Sequence, residues 1–521
     1  MLRDEMLNRL RNPSQVWDLI IIGGGATGLG CAVDAASRGY KIVLVERSDF
    51  AKGTSSRSTK LVHGGLRYLQ QGNFSLVIEA LKERAILMQN APHLISRLPL
   101  VVPAYHRWEA PWAGIGVKLY DHLAGKQGLG KSRFLSREET LSLIPTIEGA
   151  GLRGGILYYD AQFDDARLAI SLAQTALGHG ATLINYVNVT GLLKKQERVA
   201  GVRCKDIESG EAFELIGKAV INACGPFCDA LRAMDVANAH PIITPSQGVH
   251  IVLPRAFLPG NAAILVPRTS DGRVIFLIPW HDRVMVGTTD TPIDQVSIEP
   301  VAKDEEITFL LDYAARYLDR TPHRSDILSV FTGIRPLLGN ARARGTARLS
   351  REHCILISSS GLLTVGGGKW TTYRKMAQDT IDQALVVAGL KLKPCLTQNL
   401  KIHGFPAHAL KFNKACGYGC DAAAINNLVR QNPDLGAKLD PDLPIIAAQV
   451  VRAVRAEMAR TVEDVLSRRT RCLLLDAKKS VRIAATVARL MAEQLGFDQA
   501  WQQDQVEQYG RLARNYRVES A

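Results

Sequence analysis

Apolar positions near the N-terminus fall into two alternating patterns. Trp17-Asp18-Leu19-Ile20-Ile21-Ile22 is a β-branched run of the kind found in a strand buried on both faces. Leu29-Gly30-Cys31-Ala32-Val33-Asp34-Ala35-Ala36 is a small-residue stretch that fits a closely packed helix, and Lys41-Ile42-Val43-Leu44-Val45-Glu46 reads as a second strand ending in an acid. An amphipathic helix is predicted from Phe74 to Leu94, with Leu76, Ala80, Leu81, Ile86 and Leu87 on its apolar side. Further strands are expected at Ala181 to Ile184 with Val187 and Val189, at Lys218 to Ala223, and at Ser360 to Val365. The last two run into glycine turns. Gly248 to Leu253, Ala263 to Val266, Val274 to Ile278 and Val284 to Gly287 alternate or run apolar between turn residues such as Asp271-Gly272, which predicts antiparallel β structure. Lys393-Pro394 and His403-Gly404-Phe405-Pro406 mark a linker, and the pattern from about Val386 onward is helical. No window of 18 uninterrupted apolar residues occurs, so no membrane-spanning helix is predicted.

Between the first strand and the first helix lies Gly23-Gly24-Gly25-Ala26-Thr27-Gly28, a G-x-G-x-x-G turn. Gly23 permits the tight turn, Gly25 lets a pyrophosphate approach the backbone, and Gly28 lets the helix pack close to the strand. The helix N-terminus faces the phosphates, and Glu46, 21 residues after Gly25, is positioned to bind a ribose hydroxyl. Strand, helix, strand and acid in register predict a dinucleotide site, which the fingerprint alone assigns neither to NAD nor to FAD. The following run, Gly53-Thr54-Ser55-Ser56-Arg57-Ser58-Thr59-Lys60 with His63-Gly64-Gly65, offers hydroxyl donors and close backbone access beside the cofactor. Read alone, it is also an ordinary polar loop before a helix.

Composition narrows the class. The 521 residues are 46% apolar and 22% charged, which fits about two to four globular units at roughly 100–200 residues each and excludes disordered or fibrous chains. Nine cysteines are too sparse for a secreted disulfide scaffold, and Cys416 and Cys420 stand as one C-x3-C pair without partners, so a reducing compartment and no metal are expected. Met1 to Met6 holds two acids and no apolar core, so neither a signal nor a transit peptide is expected. The net charge is +14, and the tail from Val386 carries 20 basic and 13 acidic residues, hence +7. Arg452, Arg455, Arg460, Arg468, Arg469, Arg471, Lys478, Lys479, Arg482 and Arg489 are spread through its helical pattern, either as solvated faces or as a surface for anionic lipid. Nucleic acid is not expected, because the tail has no recognisable module or aromatic stacking platform.

The chain closely resembles the FAD-dependent glycerol-3-phosphate dehydrogenases, relatives of the D-amino-acid-oxidase-type flavoproteins, from about Val16 to Arg374. The motifs that carry the likeness are Ser55-Ser56-Arg57-Ser58-Thr59-Lys60, His63-Gly64-Gly65-Leu66-Arg67-Tyr68-Leu69, Asp164-Asp165-Ala166-Arg167-Leu168, Gly287-Thr288-Thr289-Asp290, Thr332-Gly333-Ile334-Arg335-Pro336-Leu337 and Gly367-Gly368-Lys369-Trp370-Thr371-Thr372-Tyr373-Arg374. Two positions depart from the family pattern: Gln247 stands in Ser246-Gln247-Gly248-Val249-His250 where the family usually has Lys, and Gln70 follows Leu69 where Glu is usual. The missing cation at 247 bears on substrate affinity.

The resemblance implies an α/β fold: a discontinuous Rossmann-like FAD-binding domain of the glutathione-reductase and D-amino-acid-oxidase type, with an inserted antiparallel β substrate domain and an α-helical C-terminal domain. The expected segments are 1–95, 151–238 and 331–385 for the cofactor, 96–150 and 239–330 for the substrate, and 386–521 for the helical domain. FAD would be held by Gly23, Gly25, Gly28, Glu46, Ser55, Ser56, Ser58, Lys60, His63, Gly64, Gly65, Val189, Gly225, Gly368, Lys369 and Thr371. The glycine turn before Trp370 would set a helix N-terminus against the flavin and favour its reduced, anionic form.

The implied reaction converts sn-glycerol 3-phosphate to dihydroxyacetone phosphate by hydride transfer to flavin N5, with electrons passing to a membrane quinone. Arg67, Tyr68, Arg335, Lys369 and Thr288 are the expected substrate-binding residues, because an arginine fork pairs two phosphate oxygens at once. His250 is the first candidate base, with His63 and Lys369 behind it, and Asp290 is expected at the pocket wall. The alternatives are an oxidase that uses oxygen, an amine oxidase of the same fold, and a non-enzymatic flavin-binding RNA or redox adaptor. The implied setting is the cytoplasmic face of a bacterial inner membrane, held peripherally on anionic lipid, with a homodimer left open.

Overall fold

Val16–Ile22, apolar on both faces, forms a strand with parallel neighbours on each side, Ile42–Val45 and Ala212–Asn222. In the computed structural model, which describes residues 3–12, 14–65, 69, 73–106, 109–267, 269, 272–339, 353–406 and 417–518, it sits near the middle of an eight-stranded sheet. Thr182–Ile184 extends the parallel set beyond Ile42–Val45, and Leu363–Gly367 extends it beyond Ala212–Asn222. His353–Ile357, Arg198–Asp206 and Val187–Lys195 complete the sheet as antiparallel additions. The helix Ala26–Ser37 leaves the central strand directly after the glycine turn and packs between the helices Asp165–Gly178 and Tyr373–Val387. Gly30 permits that approach, since a Cβ there would lie 2.9 Å from the Tyr373 ring.

The second sheet has ten strands, in the order Thr291–Pro292, Ile243–Pro254, Arg283–Gly287, Ile275–Trp280, Ala263–Val266, Ile95–Ala104, Gly154–Phe163 and Leu61–Val62. Ser329–Leu338 pairs along the other side of Ile243–Pro254, and Arg133–Leu135 pairs with Gly154–Phe163. Every pairing is antiparallel except Ala263–Ile264 against Leu100–Val101. The expected segment boundaries therefore move. Gly154–Phe163 and Ser329–Leu338, expected at the starts of cofactor segments 151–238 and 331–385, are strands of this second sheet, and so is Leu61–Val62. Each is the strand by which the chain passes between the two sheets. Apolar patterning marks a strand but not its partner, and Pro99 and Pro103 break the pattern of Ile95–Ala104 altogether.

The C-terminal helices Ala447–Glu457, Ala484–Leu495 and Gln499–Arg514 cover a face of this second sheet, sharing one core that joins Val450, Leu466 and Val487 to Leu100, Val252 and Phe331. Here the structure corrects the expected basic surface. Arg452, Arg468, Arg469 and Arg471 are buried, and each is paired with an acid. Arg468 Nε and Arg469 Nη1 converge on Asp49 at 2.5 and 2.6 Å, in the loop after the second strand of the first sheet. Those charges tie domains together. Arg455, Lys478, Arg482 and Arg489 remain exposed. Among the described residues, no helix is long and apolar enough to cross a membrane. Cys416 lies outside them.

Candidate active site

The two sheets meet over a large cleft of about 1240 Å³. One end is the glycine turn. Gly23 has φ +111°, and a Cβ on it would stand 2.6 Å from Ala223 O, while a Cβ on Gly28 would stand 1.9 Å from Gly23 O. Only glycine fits at either place. Ala26 N–H, at the start of the helix, donates to Ser55 Oγ at 2.9 Å, which docks the hydroxyl-rich loop against the turn. Glu46 accepts from Gly24 N–H at 2.6 Å and from Ser48 N–H at 2.8 Å. Burial pushes its carboxyl up, and those two N–H donors pull it back down. A backbone cradle shaped by glycine at a helix N-terminus, with an acid at the end of the neighbouring strand, fits a dinucleotide pyrophosphate and ribose.

At the other end the floor is the second sheet, and here too glycines make the space. Ser246 pairs with Arg335, Gly248 with Gly333 and His250 with Phe331, so these six alternate residues share one sheet face. A Cβ on Gly248 would fall 2.4 Å from Arg335 Nη2, and one on Gly333 would fall 2.8 Å from Arg57 O. Arg335 Nη2 donates to Thr288 Oγ1 at 3.0 Å and Thr289 O at 2.9 Å, and its Nη1 lies 3.3 Å from Asp290 Oδ1. Asp290 also accepts from Ser246 Oγ. The guanidinium is thus held in one orientation.

His250 is buried against the ring of Phe331, stacked at 4.8 Å between centroids, with Gly287 on its other side. Its Nε2 lies 3.0 Å from Thr59 Oγ1. Burial, followed by the charges of Lys60 and Arg335, holds the imidazole well below its ordinary range. It is neutral near pH 7.

Most of the expected residues converge on this cleft. Gly23, Gly25, Glu46, Ser55, Ser58, His63, Gly65, Val189, Gly225, Gly368, Lys369, Thr371, His250, Thr288 and Arg335 line it. Four do not. Gly28 packs beneath Gly23, and Gly64 N–H donates to Tyr120 Oη at 2.8 Å on the far side of its loop. Ser56 is buried, and Lys60 Nζ turns away to Asp165 Oδ2 at 2.7 Å and Ser56 O at 2.8 Å. Burial pushes the Lys60 ammonium down to about 7, although Asp165 pulls it back up. Arg67 and Tyr68 lie outside the described residues, as does Gln70.

The departure at Gln247 loses its force. Strand alternation points this side chain to the opposite face from Ser246 and Gly248, where its Nε2 donates to Glu306 Oε2 at 2.7 Å. Glu306 in turn accepts from Thr289 Oγ1 at 2.9 Å and Thr291 Oγ1 at 2.6 Å, which steadies the loop around Arg335. Gly248, Gly287 and Phe331 had no expected role in this site, and Thr59 was expected only among the hydroxyl donors beside the cofactor. The signal for the glycines was their place inside β runs, where glycine marks a close approach by another group.

Residues 18–374 match the family described as FAD dependent oxidoreductase, and residues 362–502 match the C-terminal domain of alpha-glycerophosphate oxidase. The mitochondrial glycerol-3-phosphate dehydrogenase of Mus musculus is 41% identical over 540 residues, covering 97% of this chain and 74% of the mouse protein. The chain belongs to the FAD-dependent glycerol-3-phosphate dehydrogenases. Its cofactor is accordingly FAD. The human mitochondrial dehydrogenase is likewise 41% identical over the same length. Among solved structures, the glycerol-3-phosphate dehydrogenase from Bacillus halodurans complexed with FAD is 28% identical, with a TM-score of 0.77 over 99% of each chain. An L-alpha-glycerophosphate oxidase from Mycoplasma pneumoniae, at 18% identity and a TM-score of 0.58, shares the fold over 74% of this chain.

Proposed function

We propose that this dehydrogenase oxidises sn-glycerol 3-phosphate to dihydroxyacetone phosphate in the cleft and passes the electrons to a membrane quinone. The observation that carries the reading is the placement of Arg335 and His250 on one glycine-floored sheet face: an oriented fork for a phosphate on the same face as a neutral imidazole for a hydroxyl proton. FAD, when bound, supplies the hydride acceptor. Gly23, Gly25 and the helix N-terminus would hold its pyrophosphate, and Glu46 a ribose hydroxyl. Arg335, with Lys369, Thr288, Arg67 and Tyr68, takes the phosphate end of the substrate. His250 accepts the hydroxyl proton, a contribution of roughly 10²–10⁴ in rate, and Thr59 fixes the tilt of its ring. His63 and Lys369 are the remaining candidates for proton handling at the cleft wall.

Peripheral attachment to an anionic lipid surface, in a bacterium the cytoplasmic face of the inner membrane, belongs to the same reading. Its support lies away from the C-terminal tail. The helices Phe74–Asn90 and Glu109–Ala124 pack through Leu76, Val77, Leu81 and Tyr120, and leave Phe74, Ile78 and Leu119 exposed. Phe134 is exposed beside Lys118, and Lys82, Lys131 and Arg133 are also in solvent. Apolar side chains set among cations suit the headgroup region of a bilayer. Leu69, Gly116 and Leu119 of this region also line the cleft, which gives a lipid-borne quinone a way in. A homodimer is the remaining partner expectation, read by analytical ultracentrifugation.

The match of 362–502 to a domain named for an oxidase favours oxygen as the second reading for the acceptor. Turnover with sn-glycerol 3-phosphate and a short-chain quinone, with peroxide followed in air, separates the two. Quinone reduction with little peroxide supports the dehydrogenase; stoichiometric peroxide and no quinone reduction overturns the acceptor.

A further inference from the structure

Asp165 begins the helix Asp165–Gly178, far in sequence from both the cofactor loop and the C-terminal domain, and it is fully buried. Its two oxygens divide between them. Oδ2 accepts from Lys60 Nζ at 2.7 Å, Ser58 N–H at 3.0 Å and Ser58 Oγ at 2.7 Å. Oδ1 accepts from Arg471 Nη2 at 2.9 Å. Arg471 Nη2 and Lys60 Nζ then meet again on one carbonyl, Ser56 O, each at 2.8 Å. The four groups form a closed ring of charge-assisted hydrogen bonds, out of reach of water. The ring grips the back of residues 56–60 while Ser55, Ser58 and Thr59 line the cleft on the front.

Arg471 is the member that comes from outside. It stands 415 residues from Ser56, in a left-handed backbone conformation (φ +65°), and a third bond from its Nη1 to Ser467 O at 3.1 Å orients the side chain. The same face of the C-terminal domain reaches the loop at two more points: Arg468 and Arg469 on Asp49, and Glu463 Oε2 on Lys52 Nζ at 2.6 Å. Among the described residues, none of the C-terminal domain lines the cleft. A guanidinium suits this place because Nη2 holds Ser56 O and Asp165 Oδ1 while Nη1 holds Ser467 O, so one planar group ties the loop and the helix to its own domain, a span that the single nitrogen of a lysine ammonium does not cover.

We propose that Arg471 is a positioning residue through which the C-terminal domain holds the 55–60 loop in its FAD-binding shape. The helical domain thereby acts on cofactor retention without touching the cofactor, and it also fixes Thr59 beneath His250. This rests on the cleft being the FAD site, which FAD binding by the parent chain controls separately.

The test uses the full-length chain, stripped of flavin and titrated with FAD while flavin fluorescence is followed. Arg471→Lys keeps the charge and loses the fork. It should weaken FAD binding roughly tenfold or more, the scale of one lost charge-assisted hydrogen bond, while KM for sn-glycerol 3-phosphate in the FAD-saturated enzyme stays near the parent value. Folded Arg471→Lys protein that binds FAD as tightly as the parent overturns the proposal. Hydrogen exchange on the parent protein covers the case in which the variant does not fold. FAD added to apoprotein should slow exchange in 467–475 together with 55–60, whereas protection confined to 55–60 overturns the proposal.

Discussion

Gly248 lies directly beneath the Arg335 guanidinium, and a Cβ at position 248 would stand 2.4 Å from Nη2. The atom in the way is the end of a flexible side chain, so Gly248→Ala displaces the fork instead of breaking the sheet. KM for sn-glycerol 3-phosphate should rise roughly tenfold, about 1.4 kcal/mol of lost interaction, while the thermal midpoint changes little. Steady-state kinetics and a melting curve on the same preparation check both halves.

Arg335 is the oriented cation of the site. Arg335→Lys retains a positive charge but not the fork held by Thr288, Thr289 and Asp290. kcat/KM should fall by about 1.5–3 kcal/mol, the worth of a charge-assisted hydrogen bond. The loss should appear mainly in KM, and Arg335→Ala should lose more. Plain glycerol, which lacks the phosphate, should be turned over equally poorly by parent and variant.

The pH profile follows from His250. Burial first, then Lys60 and Arg335, depress its folded pKa below the ordinary value of about 6.5. The acid limb of kcat/KM should therefore lie below pH 6.5, because the base stays unprotonated that far down. A bound phosphate offsets the Arg335 charge, so the limb in kcat should lie above the limb in kcat/KM. The stability sign agrees: with the folded pKa depressed, the unfolded chain binds the proton first, and stability is lost as pH falls below about 6.5. Replacing His250 with Gln should flatten that loss, as denaturant titrations at several pH values would show.

Gln247 tests how far strand alternation insulates the site. Its side chain serves Glu306 on the face away from the cleft. Gln247→Lys, which restores the usual family residue, should form an ion pair with Glu306 and shift KM by less than about threefold, under 1 kcal/mol. A much larger fall in KM would mean that a cation at 247 reaches the substrate.

The cofactor half of the fold was legible because each of its parts has a local signature. The Val16–Ile22 strand, the glycine turn, the helix and Glu46 are adjacent in sequence, and glycine at 28 is demanded by Gly23 O within the same turn, although Gly23 itself is also hemmed in by the distant Ala223. The substrate half was legible as strands but not as pairings. Gly154–Phe163 and Ser329–Leu338 looked like parts of the cofactor domain because nothing local records which sheet a strand joins. Arg67 and Arg335 were chosen through family motifs, and Arg335 does line the cleft. Lys60 was misassigned for the same reason: a motif names a residue, while its partner Asp165 lies 105 positions away. Arg468, Arg469 and Arg471 were misread because a buried ion pair and a solvated charge look alike until Asp49 and Asp165 are in place beside them.

The most direct measurement is an anaerobic titration of the FAD-loaded protein with sn-glycerol 3-phosphate, following the visible flavin band. Stoichiometric bleaching is expected, absent with glycerol and much weakened in Arg335→Ala, with colour restored by a quinone analogue. A band unchanged by sn-glycerol 3-phosphate, or bleached equally well by glycerol, would contradict phosphate-directed oxidation in this cleft.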